Sequence, residues 1–222
     1  MVRCTIGVDI GTSSSKGVIV DSTTGEVLAT SVVEHHVQRP KTGFVEMDGS
    51  IWWDEFVAIA HALRDDLVAR GVEFSLTSVG VSGMGPCVLL TDENDEPVRP
   101  AILYGVDSRA TDQIEAMRED LGDDAIARVA GSLLSSQAGG PKILWIAQNE
   151  PDAYSRATRL FMPASFLARK LTGAYTLDHQ SASQMTPLYE VDAERWRDAW
   201  WSTYAPGIEA PALAWAGDVV GE

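Results

Sequence analysis

The stretch Asp9-Ile10-Gly11-Thr12-Ser13-Ser14-Ser15-Lys16 separates two short apolar runs near the start of the chain. The first run, residues 4–10, leads into it and the second, residues 17–20, follows it, so the pattern predicts two strands joined by a tight hairpin. A third apolar run, residues 27–33, comes after a polar turn. Because strands joined by such short loops pair as antiparallel neighbours, we predict a three-stranded meander.

The hairpin carries residues suited to holding an anion. Gly11 lets the backbone approach a ligand closely, and the N–H groups that follow, with the Thr12 and Ser13 hydroxyls, can cradle a phosphate beside the Lys16 cation. Asp9, at the end of an apolar strand, is suited to holding Mg²⁺ through water. The G-x-x-x-x-G-K-[ST] spacing of a Walker loop is absent. An ordinary hairpin turn with an exposed run of serines is the alternative interpretation.

The next segment has helical periodicity. We expect a helix over residues 51–70, with Ser50 as its N-cap and Gly71 at its end. Its apolar stripe consists of Trp52, Phe56, Ile59, Leu63 and Leu67.

Strands and then helices are expected further along. Residues 78–82 and 87–90 read as buried strands, the acidic residues 92–96 as a solvated hairpin tip, and residues 101–104 as another strand. Helices are predicted at residues 109–121, 124–130, 143–148, 165–171 and 192–201. A β-β-β-α-β-α order predicts an α/β fold with a mixed sheet and helices on both faces.

Composition narrows the class of protein. The net charge of −15 argues against nucleic-acid binding, which needs clustered Lys and Arg. No apolar stretch is long enough for a membrane span, and no signal peptide is evident, so we expect a cytoplasmic protein. Cys4 and Cys87 lie in apolar runs and are expected to be buried, reduced thiols.

Several segments resemble sugar kinases of the FGGY type. The hairpin resembles the first phosphate loop of the superfamily of actin, heat-shock ATPases and sugar kinases. Residues 43–48 with Trp52-Trp53 resemble the G-[WFY]-x-E-x-D…W-W segment of the FGGY family. Residues 100–109 resemble P-x-I-L-W…D-x-R, although Tyr104 replaces the Trp and one extra residue precedes the Asp. Residues 141–151 and 162–183 resemble two later segments, in the family's order.

The resemblance implies an actin-like (RNase H-like) fold and transfer of the γ-phosphoryl group of ATP, with Mg²⁺, to a sugar or polyol. Asp9, Gly11, Thr12, Ser13 and Lys16 then belong to the nucleotide site, with Asp9 on Mg²⁺. Met84, Asp107 and Arg109 are expected near the sugar, although Asp107 and Arg109 fit a structural ion pair equally well.

We expect Lys142, Trp52 and Trp53 to be structural and Glu46 and Asp48 to organise the start of the helix. Xylulokinase-like members carry Gln-Met-His where this chain has Gly83-Met84-Gly85.

The family's catalytic aspartate follows a G-G-x-x-D segment, which we expect downstream of Glu222, together with the second, ATP-binding domain. Residues 1–222 are therefore expected to be an amino-terminal domain, incomplete at its carboxy end and inactive alone, with the complete enzyme a possible homodimer. A non-catalytic actin-like binding or scaffold module is the alternative from another class. A repressor related to sugar kinases is less favoured, because no helix-turn-helix segment precedes Cys4.

Overall fold

The computed structural model describes residues 1–222. Its strands are β1 (Val2–Ile10), β2 (Ser14–Asp21), β3 (Val27–Glu34), β4 (Glu46–Met47), β5 (Phe74–Gly83), β6 (Leu89–Thr91), β7 (Ala101–Ile102), β8 (Arg159–Phe161), β9 (Thr176–Asp178), β10 (Tyr189–Glu190), β11 (Arg195–Trp196) and β12 (Ala212–Ala214). Its helices are α1 (Ser50–Ala69), α2 (Thr111–Leu121), α3 (Asp123–Ala130), α4 (Gly139–Asn149), α5 (Pro151–Tyr154), α6 (Pro163–Thr172), α7 (His179–Ser183) and α8 (Asp198–Tyr204).

The main sheet has four strands in the order β3-β2-β1-β5. β1, β2 and β3 are antiparallel neighbours, with Ile6 opposite Ile19, so the predicted meander is confirmed. β5 pairs parallel to β1, which brings Ser82 opposite Asp9 and makes the sheet mixed. A parallel neighbour requires a crossover, and α1 supplies it.

Helix α1 covers one face of this sheet. Its predicted stripe is buried throughout, and it packs on the apolar alternate residues of β1, which are Cys4, Ile6, Val8 and Ile10. The helix lies close to β2, because a Cβ at Gly17 would sit 2.2 Å from Cγ2 of Ile59. The predicted helix and its orientation are therefore confirmed.

The opposite face of the sheet is open. Asp9 and Lys16 are exposed there, and Val18 is 37% exposed. Since α6 packs on the same face as α1, the expectation of helices on both faces is met on one face only. The open face of β1 carries Thr5, Gly7 and Asp9, which offer no apolar stripe for a helix to bury.

Residues beyond β5 form a mostly helical region with a second core. This core contains 24 buried residues, among them Met117, Ile146 and Leu160. The β6–β8 and β4–β7 pairs connect it to the first core. No helix is both long and apolar enough to cross a bilayer.

Two local predictions were wrong: the N-cap of the first helix and the bounds of the last helix. The cap position of α1 is Gly49 without a side-chain cap, because Ser50 is already helical and its N–H donates to Asp48. The last helix spans residues 198–204 rather than 192–201, because residues 195–196 pair as strand β11 with β10.

Of two expectations about solvent exposure, the one for β5 was wrong and the one for the acidic tip holds except at Asp95. β5 is an exposed edge strand rather than a buried one, since it has a partner on one side only. The acidic tip is not fully solvated, because the Asp95 carboxylate accepts hydrogen bonds at 2.8 Å from Arg159 and from Arg169. Both arginines come from a distant region of the chain, α6 and the strand before it.

Both cysteines are free and buried, as predicted. Burial raises the pKa of the Cys87 thiol to about 12. A thiol of this kind is a packing group rather than a nucleophile.

Candidate functional site

The loop between β1 and β2 holds two unused backbone donors. The Gly11 N–H closes the turn by donating to the Ser14 carbonyl at 3.1 Å, whereas the N–H groups of Thr12 and Ser13 have no hydrogen-bond partner. A Cβ at Gly11 would lie 2.7 Å from the Ser14 carbonyl oxygen, so the turn requires glycine. Neighbouring free N–H groups in a tight turn are suited to an anion such as a phosphate.

Asp9 lies on the open face, directly before this loop. Its Oδ1 accepts a hydrogen bond from the Ser82 hydroxyl at 2.7 Å, and no hydrogen bond or ion pair occupies its Oδ2. Lys16 stands opposite Asp9 across the β1–β2 pair, is exposed and forms no ion pair. These three side chains line a shallow depression of about 390 Å³ on the sheet.

The groups on this hairpin are chemically suited to a nucleotide with its Mg²⁺ ion. A free carboxylate oxygen on β1, two free N–H groups in the turn and an unpaired ammonium on β2 all belong to the same hairpin. No cluster of three carboxylate, His or Cys side chains exists that would strip the ion of its water. Mg²⁺ keeps much of its hydration shell, so a single carboxylate that holds it through water fits.

Two residues from later segments meet the loop. The Met84 N–H donates to the Ile10 carbonyl at 2.7 Å, which places Met84 beside the end of β1. The Tyr104 hydroxyl lies 2.6 Å from Oγ1 of Thr12. Met84 and the β1–β2 loop, predicted from separate motifs to belong to the site, are thus brought together.

Asp107 and Arg109 are committed to each other. Arg109 binds both carboxylate oxygens of Asp107 at 2.7–3.0 Å, and neither side chain has any exposed area. The Val45 N–H donates to Asp107 at 2.6 Å, and Arg109 donates to Glu46 at 2.6 Å. As placed, neither residue reaches a ligand. The geometry favours the structural ion pair over the sugar contact expected from the motif.

Further buried charges support the same segment. Glu46, expected to organise the start of α1, instead binds Arg99 at 2.5 Å as well as Arg109. Arg99 also binds Glu150 at 2.6 Å. This network links three separate motifs of the sequence. Its role is to fix their relative positions.

Lys142 is structural, as predicted. Its ammonium donates to the carbonyls of Leu103 and Ser136 at 2.9 and 2.8 Å. Burial lowers the pKa of Lys142 to about 8, and the nearby carboxylate of Asp107 opposes this shift.

Four residues at the loop were not selected from the sequence: Ser82, Tyr104, His35 and Glu55. The sequence could have indicated Glu55, because it falls among the apolar positions of α1. A carboxylate on that buried face needs a buried hydrogen-bonding partner. That partner is His35, at 2.9 Å. No local pattern indicated His35 or Ser82, since their partners are distant in sequence.

Comparisons with known proteins show which family the chain belongs to. The sequence model described as the FGGY family of carbohydrate kinases, N-terminal domain, matches residues 4–222. Xylulose kinase of Staphylococcus xylosus is 29% identical over 192 residues, which are 86% of this chain and 38% of that protein. Xylulose kinase of Streptomyces coelicolor is 33% identical over 80% of this chain and 35% of that protein.

A solved structure of a "xyloylose kinase" from Brucella ovis aligns with a TM-score of 0.83 at 26% identity, over 94% of this chain and 42% of that one. Structural neighbours of this kind have the actin-like ATPase fold, so the predicted fold class is confirmed. The chain spans 35–43% of the length of the curated relatives it matches. By the family match over nearly all its residues, the chain belongs to the FGGY family of carbohydrate kinases and corresponds to that family's amino-terminal domain.

Proposed function

We propose that this chain is the sugar-binding, amino-terminal part of an ATP-dependent kinase that phosphorylates a hydroxyl of a sugar or polyol. The observation that carries the proposal is the loop at Gly11–Ser13. It has two free N–H groups, it directly follows the strand that ends with Asp9 and its free carboxylate oxygen, and its Thr12 hydroxyl lies 2.6 Å from that of Tyr104. Membership of a carbohydrate kinase family supports the reaction class.

In this proposal the nucleotide phosphates bind at Gly11, Thr12, Ser13 and Lys16. Asp9 holds Mg²⁺ through water, and the ion neutralises charge on the transferred phosphoryl group. The protein's contribution is positioning, because phosphoryl transfer needs the acceptor oxygen, phosphorus and leaving oxygen in line.

The substrate is proposed to lie near Met84 and Tyr104. A ketose such as xylulose is the leading candidate, since the relatives are named xylulose kinases. Gly83-Met84-Gly85 departs from the Gln-Met-His of xylulokinase-like members, so gluconate and other polyols belong in the test panel. Asp107 and Arg109 are proposed to hold the wall of this site rather than to contact the sugar.

The catalytic base and the second, ATP-binding domain are proposed to lie outside residues 1–222. Asp9 is assigned to Mg²⁺, Asp107 is paired with Arg109 and Glu55 is buried against His35, so no free carboxylate near the loop is left to act as base. A cytoplasmic location and a homodimer of the complete enzyme remain predictions.

The test is to express the full reading frame that contains this chain and to assay it with ATP, Mg²⁺ and ketoses, polyols and sugar acids. Sugar-stimulated ADP release of about 1 s⁻¹ or more is expected. Residues 1–222 alone should not turn over, and co-expression with a complementary carboxy-terminal half should restore activity. Absence of turnover in the full-length protein would favour the non-catalytic binding or scaffold module. Turnover by residues 1–222 alone would place the base within them.

A further inference from the structure

A buried polar network lies beneath the phosphate loop. Nε2 of His35 is 3.0 Å from the Gly11 carbonyl oxygen, and its Nδ1 is 2.9 Å from Oε2 of Glu55. The Ser15 hydroxyl donates to the same Glu55 oxygen at 2.5 Å. His35 and Glu55 are each 8% exposed and Ser15 is fully buried.

The geometry determines where one proton lies. A carbonyl oxygen only accepts hydrogen bonds, so Nε2 of His35 must carry the hydrogen that it donates to Gly11. A second hydrogen bond joins Nδ1 of His35 to the Glu55 carboxyl group, and either of these two groups can be its donor. Glu55 therefore keeps the imidazole turned so that Nε2–H faces the loop, as carboxylates orient histidines elsewhere.

This hydrogen bond orients a peptide group. In a trans peptide the carbonyl and the following N–H point in opposite directions. Because the Gly11 carbonyl is held toward His35, the Thr12 N–H of the same peptide points away from it. The backbone N–H of His35 also donates to the Ser13 carbonyl at 3.1 Å, so residue 35 holds two peptides of the loop.

We propose that His35 and Glu55 are positioning residues that hold the Gly11–Thr12 peptide with its N–H directed at a nucleotide phosphate. The inference rests on the proposed function for its ligand, but not for the peptide orientation. Neither residue touches the phosphate, so their removal should weaken nucleotide binding and leave sugar binding unchanged.

The matched variants are His35→Gln and His35→Asn, made in the full-length protein. A Gln amide nitrogen reaches about as far as Nε2 and can still donate to Gly11, whereas an Asn nitrogen reaches only about as far as Nδ1. His35→Asn should raise the KM for ATP about 10-fold, as for a lost buried hydrogen bond. Its KM for the sugar should stay within about 2-fold, and His35→Gln should recover most of the ATP affinity. His36→Asn, at the exposed neighbouring residue, is the control.

Crystal structures of the two variants give a readout that does not depend on turnover. The Gly11 carbonyl should keep its direction in His35→Gln and lose it in His35→Asn. An unchanged carbonyl and an unchanged KM for ATP in His35→Asn would overturn the proposal, as would equal losses for ATP and sugar in both variants. If His35→Asn does not fold, Glu55→Leu, which frees Nδ1, should raise the KM for ATP in its place.

If the wild-type protein shows no ATP-dependent turnover, the proposed function fails, and the crystal structures alone decide whether His35 orients the peptide.

Discussion

The Tyr104 hydroxyl lies 2.6 Å from Oγ1 of Thr12, across 92 residues of sequence. In our proposal, Thr12 belongs to the loop that binds phosphate, and Tyr104 belongs to the segment that borders the sugar. The bond is therefore a direct link between the two halves of the proposed site.

Replacing Tyr104 with Phe removes this bond and little else. Since a single neutral hydrogen bond contributes about 0.5–1.5 kcal/mol, we expect a loss in kcat/KM of about 2–10-fold. A double-mutant cycle with Thr12→Val checks the link. In the Thr12→Val background the hydrogen bond is already lost, so adding Tyr104→Phe should lower kcat/KM hardly any further. Fully additive losses would show that the two hydroxyls act separately.

Asp9→Asn should reduce kcat by about 100-fold or more, because an amide cannot replace the negative charge that holds Mg²⁺. The KM for the sugar should change by less than about 2-fold. Steady-state kinetics over a range of Mg²⁺ concentrations provide the measurement. Ser82→Ala is the matched comparison, since it removes a hydrogen bond to Asp9 but keeps the carboxylate, and it should cost no more than about 10-fold. Near-normal turnover in Asp9→Asn would refute the assignment.

Gly11→Ala should impair ATP use strongly. Its new Cβ would lie 2.7 Å from the Ser14 carbonyl oxygen, a backbone atom, so the loop itself must move. Displacement of reacting groups by about 1 Å can cost on the order of 100-fold in rate. The assay is kcat/KM for ATP, with Gly217→Ala as control because no atom lies within 4 Å of its Cβ position. Equal kinetics in the two variants would contradict the role of the turn.

Asp107→Asn should lower stability rather than sugar affinity. Weakening a fully buried ion pair costs about 3 kcal/mol, and the Arg109 guanidinium has no access to water here. Urea unfolding measures the effect, and Arg64→Ala, at an exposed pair, should cost less than about 1 kcal/mol. Normal stability combined with a raised KM for the sugar would instead support the substrate contact expected from the motif.

Lys142 should make stability depend on pH. Its pKa is lowered from 10.5 to about 8 in the folded protein, so the unfolded chain binds more protons between these values. Stability should therefore rise with pH across this window, by up to about 3 kcal/mol from this residue. Cys87, whose pKa is raised to about 12, opposes the rise above pH 9. Comparing unfolding of wild type and Lys142→Met at pH 7.5, 8.5 and 9.5 isolates the effect, and parallel pH profiles would contradict it.

Local patterns were sufficient for much of the fold. The alternation in β1 and the helical spacing from Trp52 to Leu67 each depend on which face of one element is buried. Turn residues around Gly11 identified the hairpin, because only small and polar residues suit so tight a loop. These features depend on neighbours within a few residues, so the chain itself specifies them.

The sequence by itself thus determined the meander, α1, the tight β1–β2 hairpin and the resemblance to the FGGY family. Only the tertiary structure decided that Asp107 binds Arg109 within a buried network, that Asp95 is held by two distant arginines, and that His35 lies beneath Gly11. A motif names the type of a charged residue but not its partner. The partner depends on which distant segments of the chain pack together. A charge that is buried by this packing destabilises the fold unless an opposite charge pairs with it.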